Sequence, residues 1–223
     1  MLAKPISLAA KLFFLIFATA SFAQTQTNPY IVTPGKTDAD DLPSTGAKVC
    51  LKSNGSCFQM PDAQNGDVTY HFGIDPHINT LAKTGAPPWL LFDATFSGGG
   101  SGTLTRYAIL RQEADHLKNV LPKVALTNAS EEAVWNDPQL SAHPIFVTAD
   151  FIWNFDAGEM HFSKHHYSIE VWRYDQNADI YVRVLSYRTA KRYNSLDTAD
   201  AIQVITPERP EILRCLATLT PKP

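Results

Sequence analysis

The sequence predicts a mainly β protein built of antiparallel meanders and ending in a short helix. Two long runs alternate apolar with other residues: Leu90, Phe92, Ala94 and Phe96 in "WLLFDATF", and Ile145, Val147, Ala149, Phe151, Trp153 and Phe155 in "PIFVTADFIWNF". A period of two over that length describes a strand with one buried face. Each run leads through a turn into a second strand-like run, opening near Tyr107 in "YAILRQ" and near Tyr167 in "YSIEVW". A third run follows in each case, "HLKNVL" and "IYVRVLSYRT". Near the end of the chain, in "TPERPEILRCLATL", Pro210 sits early in a helical pattern whose Ile212, Leu213 and Leu216 share one face.

In chain order, residues 1–23 carry Lys4 and Lys11, the apolar run "LFFLIFATA", and small Ser21 and Ala23 ahead of Gln24, the pattern of an export signal. The run is too short to persist as a membrane span. The expected location is periplasmic or secreted, with no membrane insertion after signal removal. Residues 24–46, rich in Thr, Pro, Asp and Gly, predict a flexible N-terminal arm, and 47–223 a single β-rich domain. Asn54-Gly55 in "KVCLKSNGSCFQM" favours a tight hairpin that sets Cys50 opposite Cys57, and an oxidising compartment would join them. The alternative pairs Cys215 with one of the two and ties the C-terminal segment to the hairpin. "DPHINTLAK", lying between the breakers "PDAQNGD" and "TGAPP", predicts one helical turn, and "NASEEAVWNDPQLS" a short capped helix or a loop.

The two meanders can be laid over each other. Phe92, Ala94 and Phe96 match Val147, Ala149 and Phe151 at an offset of 55, and Tyr107 matches Tyr167 at 60, which suggests a duplicated unit. The succession of a strand, the acidic-glycine turn "NFDAGE", a strand entering at Tyr167, and then "RYDQNADIYVRV" resembles the blades of exported bacterial FG-GAP or VCBS β-propellers over residues 88–190. That resemblance implies a partial propeller-like arrangement and no catalytic activity. Those blades carry a fuller alternation of Asp, Asn and Gly as a calcium loop than this chain does. A meander-rich β-sandwich stands beside the propeller as the expected architecture.

Composition narrows the function. Loss of Lys4 and Lys11 with the signal takes the formal charge from −3 to −5, which offers no electrostatic footprint for nucleic acid. "GEMHFSKHHYSIEVWRYD" places Glu159, His161 and His165 on one side of an extended chain, where two imidazoles and a carboxylate could hold zinc. The segment lacks the interior glutamate of a helical HExxH site, and His165 shares its side with Tyr167, Ile169 and Val171, the expected core row. A polar rim at the strand mouth is therefore the competing reading. A calcium reading competes at "DQNAD" and "NFDAGE", although turns use the same residues without an ion. "SGGGSGT" has Thr103 where a G-x-S-x-G elbow needs glycine, so it reads as a hairpin loop. On the opposite side of the histidine strand, His166, Ser168, Glu170, Trp172 and Tyr174 form a mixed aromatic and polar row. Such a row can stack on a sugar or anchor a partner. The expectation is a non-catalytic exported β-domain that binds a protein, envelope component or glycan through His166, Glu170, Trp172 and Tyr174, with no cofactor. The alternative is a zinc-dependent hydrolase using Glu159, His161 and His165.

Overall fold

A computed structural model describes residues 28–81, 84, 87–97, 102–154, 156–158, 160, 163–194 and 204–219. The chain is mainly β, all of its sheets antiparallel, with one C-terminal helix among the described residues. Strands β1 (Tyr30–Thr33), β2 (Lys48–Leu51) and β3 (Cys57–Gln59) make a small N-terminal sheet, followed by a hairpin of β4 (Ala63–Asn65) and β5 (Val68–Tyr70). The first meander comprises β6 (Ile74–Thr80), β7 (Leu90–Ser97), β8 (Thr103–Glu113), β9 (His116–Asn119) and β10 (Val124–Thr127), in the order β10-β8-β7-β6 with β9 also on β8. The second runs β11 (Glu131–Trp135), β12 (Ile145–Phe151), β13 (Tyr167–Asp175), β14 (Ile180–Arg188), paired in that order, and α1 spans Ile205–Leu219.

Alternation along the strands fixes how these pieces stack. Leu90, Phe92 and Ala94 of β7 pack on Val49, Leu51, Met60 and Phe72 of the N-terminal region. The other side of the same sheet, with Leu91, Tyr107 and Ile109, meets Phe146 and Tyr181 of the second meander. The second meander turns Ile145, Val147, Ala149, Ile169 and Val171 the opposite way, under Ile205, Ile212 and Leu216 of α1. The stack is therefore small sheet, meander, meander, helix. Each of its large aliphatic or aromatic side chains contributes about 1.5–3 kcal/mol by leaving water.

Three segments differ from expectation. Part of the presumed arm is structured: Tyr30–Thr33 pairs with Lys48–Leu51, and Tyr30 is buried. "DPHINT" is not a helical turn but most of β6, because Ile78 packs inward and Thr80 opposes Leu90, while the strand is bulged between Ile74 and His77. "EEAVW" is β11, whose Ala133 and Trp135 pack on the core beneath α1. The suggested duplication is reproduced in strand order alone: the Phe92 row faces the N-terminal sheet while the Val147 row faces the helix, and Tyr107 opposes Asp93 whereas Tyr167 opposes Phe151.

Cys50 and Cys57 are disulfide-bonded across the β2–β3 hairpin, whose Gly55 takes a φ of 73°. Cys215 is a half-buried free thiol on α1. A bridge closing so short a loop constrains the unfolded chain little, so replacing both cysteines by alanine is expected to cost about 2 kcal/mol in urea unfolding with the spectroscopic fold unchanged. A loss of the native circular dichroism spectrum would show instead that the hairpin depends on the bridge.

Candidate binding site beside strand β10

The even side of β13 faces the first meander, and sheet register assembles its neighbours. Thr148 of β12 lies opposite Glu170, and Asp150 opposite Ser168. Trp172 pairs with Phe146 on one side and Arg183 of β14 on the other, with a register shift between Val171 and Trp172 that re-aims the chain there. Between this face and edge strand β10 lies a cavity of about 290 Å³. Its polar lining comes from Thr148, Asp150, Ser168, Glu170 and Arg183, and from Lys123 just before β10; the indole of Trp172 supplies the aromatic wall.

Each polar group is held differently. Asp150 Oδ1 accepts three hydrogen bonds, from Thr127 N at 2.9 Å, Thr127 Oγ1 at 2.7 Å and Ser130 Oγ at 2.6 Å. The guanidinium of Arg183 bonds the carboxylate of Glu170 and lies 5.9 Å from the centre of the Trp172 ring, so the indole is flanked by a cation already paired. Two atoms stand apart. Thr148 is 1% exposed, yet its Oγ1 has no hydrogen-bond partner, and the buried Nε1 of Trp172 has none either. Leaving a buried donor or acceptor unmatched costs about 1–3 kcal/mol, and both such atoms here belong to residues lining one cavity.

The rest of the predicted row is committed elsewhere. His166 Nδ1 donates to the Thr189 carbonyl at 2.7 Å while Nε2 accepts from Arg192 Nε at 3.1 Å, which fixes the ring at the strand mouth. The Tyr174 hydroxyl accepts from Arg111 Nη1 at 2.8 Å and donates to Asp179. Burial first, and Asp179 second, push the Tyr174 phenol upward. Its ring meets Trp89 edge-on at 4.9 Å and His143 at 4.7 Å. Tyr174 thus belongs to a clamp between the two meanders in which Arg111 and Lys118 converge on Asp179. Arg111, followed by Lys118 and Tyr174, holds the Asp179 carboxyl far below the usual carboxylate range.

The metal readings find the following surroundings. His165 is fully buried, its backbone is bridged to Tyr193 by bonds of 2.7 and 2.8 Å, and its ring meets Phe151 edge-on at 4.6 Å. Glu159 and His161 lie outside the described residues, as does most of "SGGGSGT". Among the described residues no group of three His, Cys, Asp or Glu side chains is arranged to hold a metal ion. In "DQNAD", Asp175 Oδ1 accepts from Asn177 N at 2.8 Å and Ala178 N at 3.2 Å, closing the β13–β14 turn, while Asp179 serves the clamp.

Trp172 and Glu170 are reached by sequence parity, whereas Thr148, Asp150, Arg183 and Lys123 join them only through strand register. The apolar alternation of "PIFVTADF" did place Thr148 and Asp150 on the side away from the α1 core, which is the one signal that could have found them. No described helix is long and apolar enough to cross a membrane. Comparison of the chain with known family models, curated proteins and solved structures gives no match.

Proposed function

We propose that the protein is an exported, non-catalytic β-domain that binds a glycan in the cavity walled by Trp172. The observation that carries this reading is the pair of unmatched buried atoms, Thr148 Oγ1 and Trp172 Nε1, on residues lining a cavity that also presents Asp150, Ser168 and the Glu170–Arg183 pair. Sugar hydroxyls donate and accept in equal measure, and the C–H face of a pyranose packs on an indole. The cavity volume of about 290 Å³ sits at the small end of ligand sites, which suits one ring of a longer saccharide. Export is supported by the signal-like residues 1–23 and by the Cys50–Cys57 bridge, which an oxidising compartment maintains.

A Thr148→Val variant separates a binding role from a structural one. Valine keeps the shape and removes the unmatched oxygen, so urea unfolding should show a gain of about 1 kcal/mol while affinity for the recognised glycan falls about tenfold. Trp172→Ala should abolish retention on a glycan array. Binding that survives both substitutions overturns the proposal.

A further inference from the structure

We infer that the recognised glycan is acidic, its carboxylate seated against Arg106 and Lys123 in a second cavity that adjoins the first across strand β10. The inference rests on the glycan reading above and adds the charge class of the ligand. Arg106, on β8, is 3% exposed. Its Nη1 donates to the carbonyls of Pro61 at 2.8 Å and Asp62 at 2.9 Å, and its guanidinium lies 5.4 Å from the centre of the Phe72 ring. No carboxylate pairs with it among the described residues; the nearby Asp62 carboxylate has His71 Nδ1 2.9 Å away. A buried cation without a counter-ion is costly, and burial accordingly lowers its hold on the proton, with Asp62 opposing.

The guanidinium lines a cavity of about 500 Å³ together with Asp62, Gln64, Lys123 and Ala125. Lys123 and Ala125 also line the Trp172 cavity, so the two spaces lie on either side of the same edge strand. Register explains the placement, since Ala125 is the Cα partner of Arg106. Lys123 is exposed and forms no ion pair with any described residue.

Charge is thereby divided between the two spaces. Around Trp172, Arg183 is paired with Glu170, and the shared Lys123 is offset in charge by the hydrogen-bonded carboxylate of Asp150, beside the hydroxyls of Thr148 and Ser168. Around Arg106 two cations, Arg106 and the shared Lys123, face a single acid, Asp62, and neither is ion-paired among the described residues. A guanidinium with its Nη1 fixed by carbonyls is pre-oriented to receive a planar carboxylate, and a lysine at the mouth adds a mobile second charge. A saccharide of at least two residues, one of the uronic-acid type, has the chemistry to occupy both spaces.

Calorimetric titration with three pairs of oligosaccharides tests this: oligogalacturonate, hyaluronan and alginate fragments, each beside its carboxyl-reduced form. The expected result is that an acidic member binds at least tenfold more tightly than its reduced twin. Lys123→Gln should weaken that acidic ligand about fivefold, as should raised salt, without changing the thermal midpoint. Equal binding of acidic and reduced forms, both lost in Trp172→Ala, overturns the acidic inference and leaves the glycan reading standing. Failure of every pair to bind overturns both.

Discussion

Raising the pH through 10 is expected to unfold the protein in one cooperative step, with tyrosinate absorbance and loss of the β spectrum appearing together. Tyr107 and Tyr181 are 7% and 0% exposed in the apolar layer between the meanders. Their hydroxyls donate to Glu132 Oε2 and to the Pro144 carbonyl, each at 2.9 Å. Burial is the largest cause pushing both phenols far above their ordinary value; Glu132 adds to it for Tyr107 and Tyr174 for Tyr181. The sign follows directly. Below about pH 10 both states keep their phenol protons and the contribution to stability is complete. Above it the unfolded chain releases protons that the folded chain retains, so stability falls by about 1.4 kcal/mol per pH unit for each tyrosine, or about 3 kcal/mol for the pair. Tyr187 and Tyr193 are raised for the same first reason, with Glu208 second, and being half-buried they contribute less. Parallel titrations at 295 nm and by far-ultraviolet circular dichroism check this, and Tyr181→Phe should lower the slope by about 1.4 kcal/mol per pH unit. Full tyrosine ionisation ahead of the structural transition would contradict it.

The strands legible in the sequence are those in which one row of alternate side chains is strongly apolar. In β7 the row Leu90, Phe92 and Ala94 is needed by the N-terminal sheet, and in β12 the row Ile145, Val147 and Ala149 is needed by the helix, so selection for burial wrote both as period two. Strands β1, β6 and β11 sit at sheet edges, where one flank of hydrogen bonds and much of one face are open. Polar and turn-forming residues are tolerated there, so "YIVT" is lost in a Thr- and Pro-rich stretch and "SEEA" imitates a helix cap. The candidate site was half visible for a related reason. Parity gives the side of a strand on which Glu170 and Trp172 lie, but the choice of partner strands is a property of the assembled sheet. Thr148, Arg183 and Lys123 come from three different elements, and Arg106 from a fourth. Tyr174 shows the opposite limit: it shares the parity of Trp172, yet Asp179 across the β13–β14 turn and Arg111, remote in sequence on β8, draw its hydroxyl into the clamp.

Replacing Glu208 by alanine is expected to cost about 3 kcal/mol and to loosen α1 before the sheets unfold. Burial of Ile205, Ile212 and Leu216 supplies the bulk of the attraction between helix and sheet. The N-terminus is held by the Glu131 carboxylate, which accepts from Val204 N at 2.7 Å and from Ile205 N at 2.8 Å, so the first turn has its own anchor. Glu208, 6% exposed, is what fixes the rotation of that turn over the sheet. Its two oxygens accept from the hydroxyls of Tyr187, at 2.9 Å, and Tyr193, which reach it from β14 and from the segment beyond. Hydrogen bonds to a carboxylate contribute about 1.5–3 kcal/mol each, and part of that is regained when the half-buried phenols meet water, hence the expected total. Glu208→Gln keeps one acceptor and should lose roughly half as much. Because Cys215 lies on the same helix and is half-buried, its alkylation rate under native conditions reports undocking without global unfolding. Faster alkylation in Glu208→Ala at unchanged far-ultraviolet signal is the expected pattern; an unchanged rate would mean that the apolar contacts alone orient the helix.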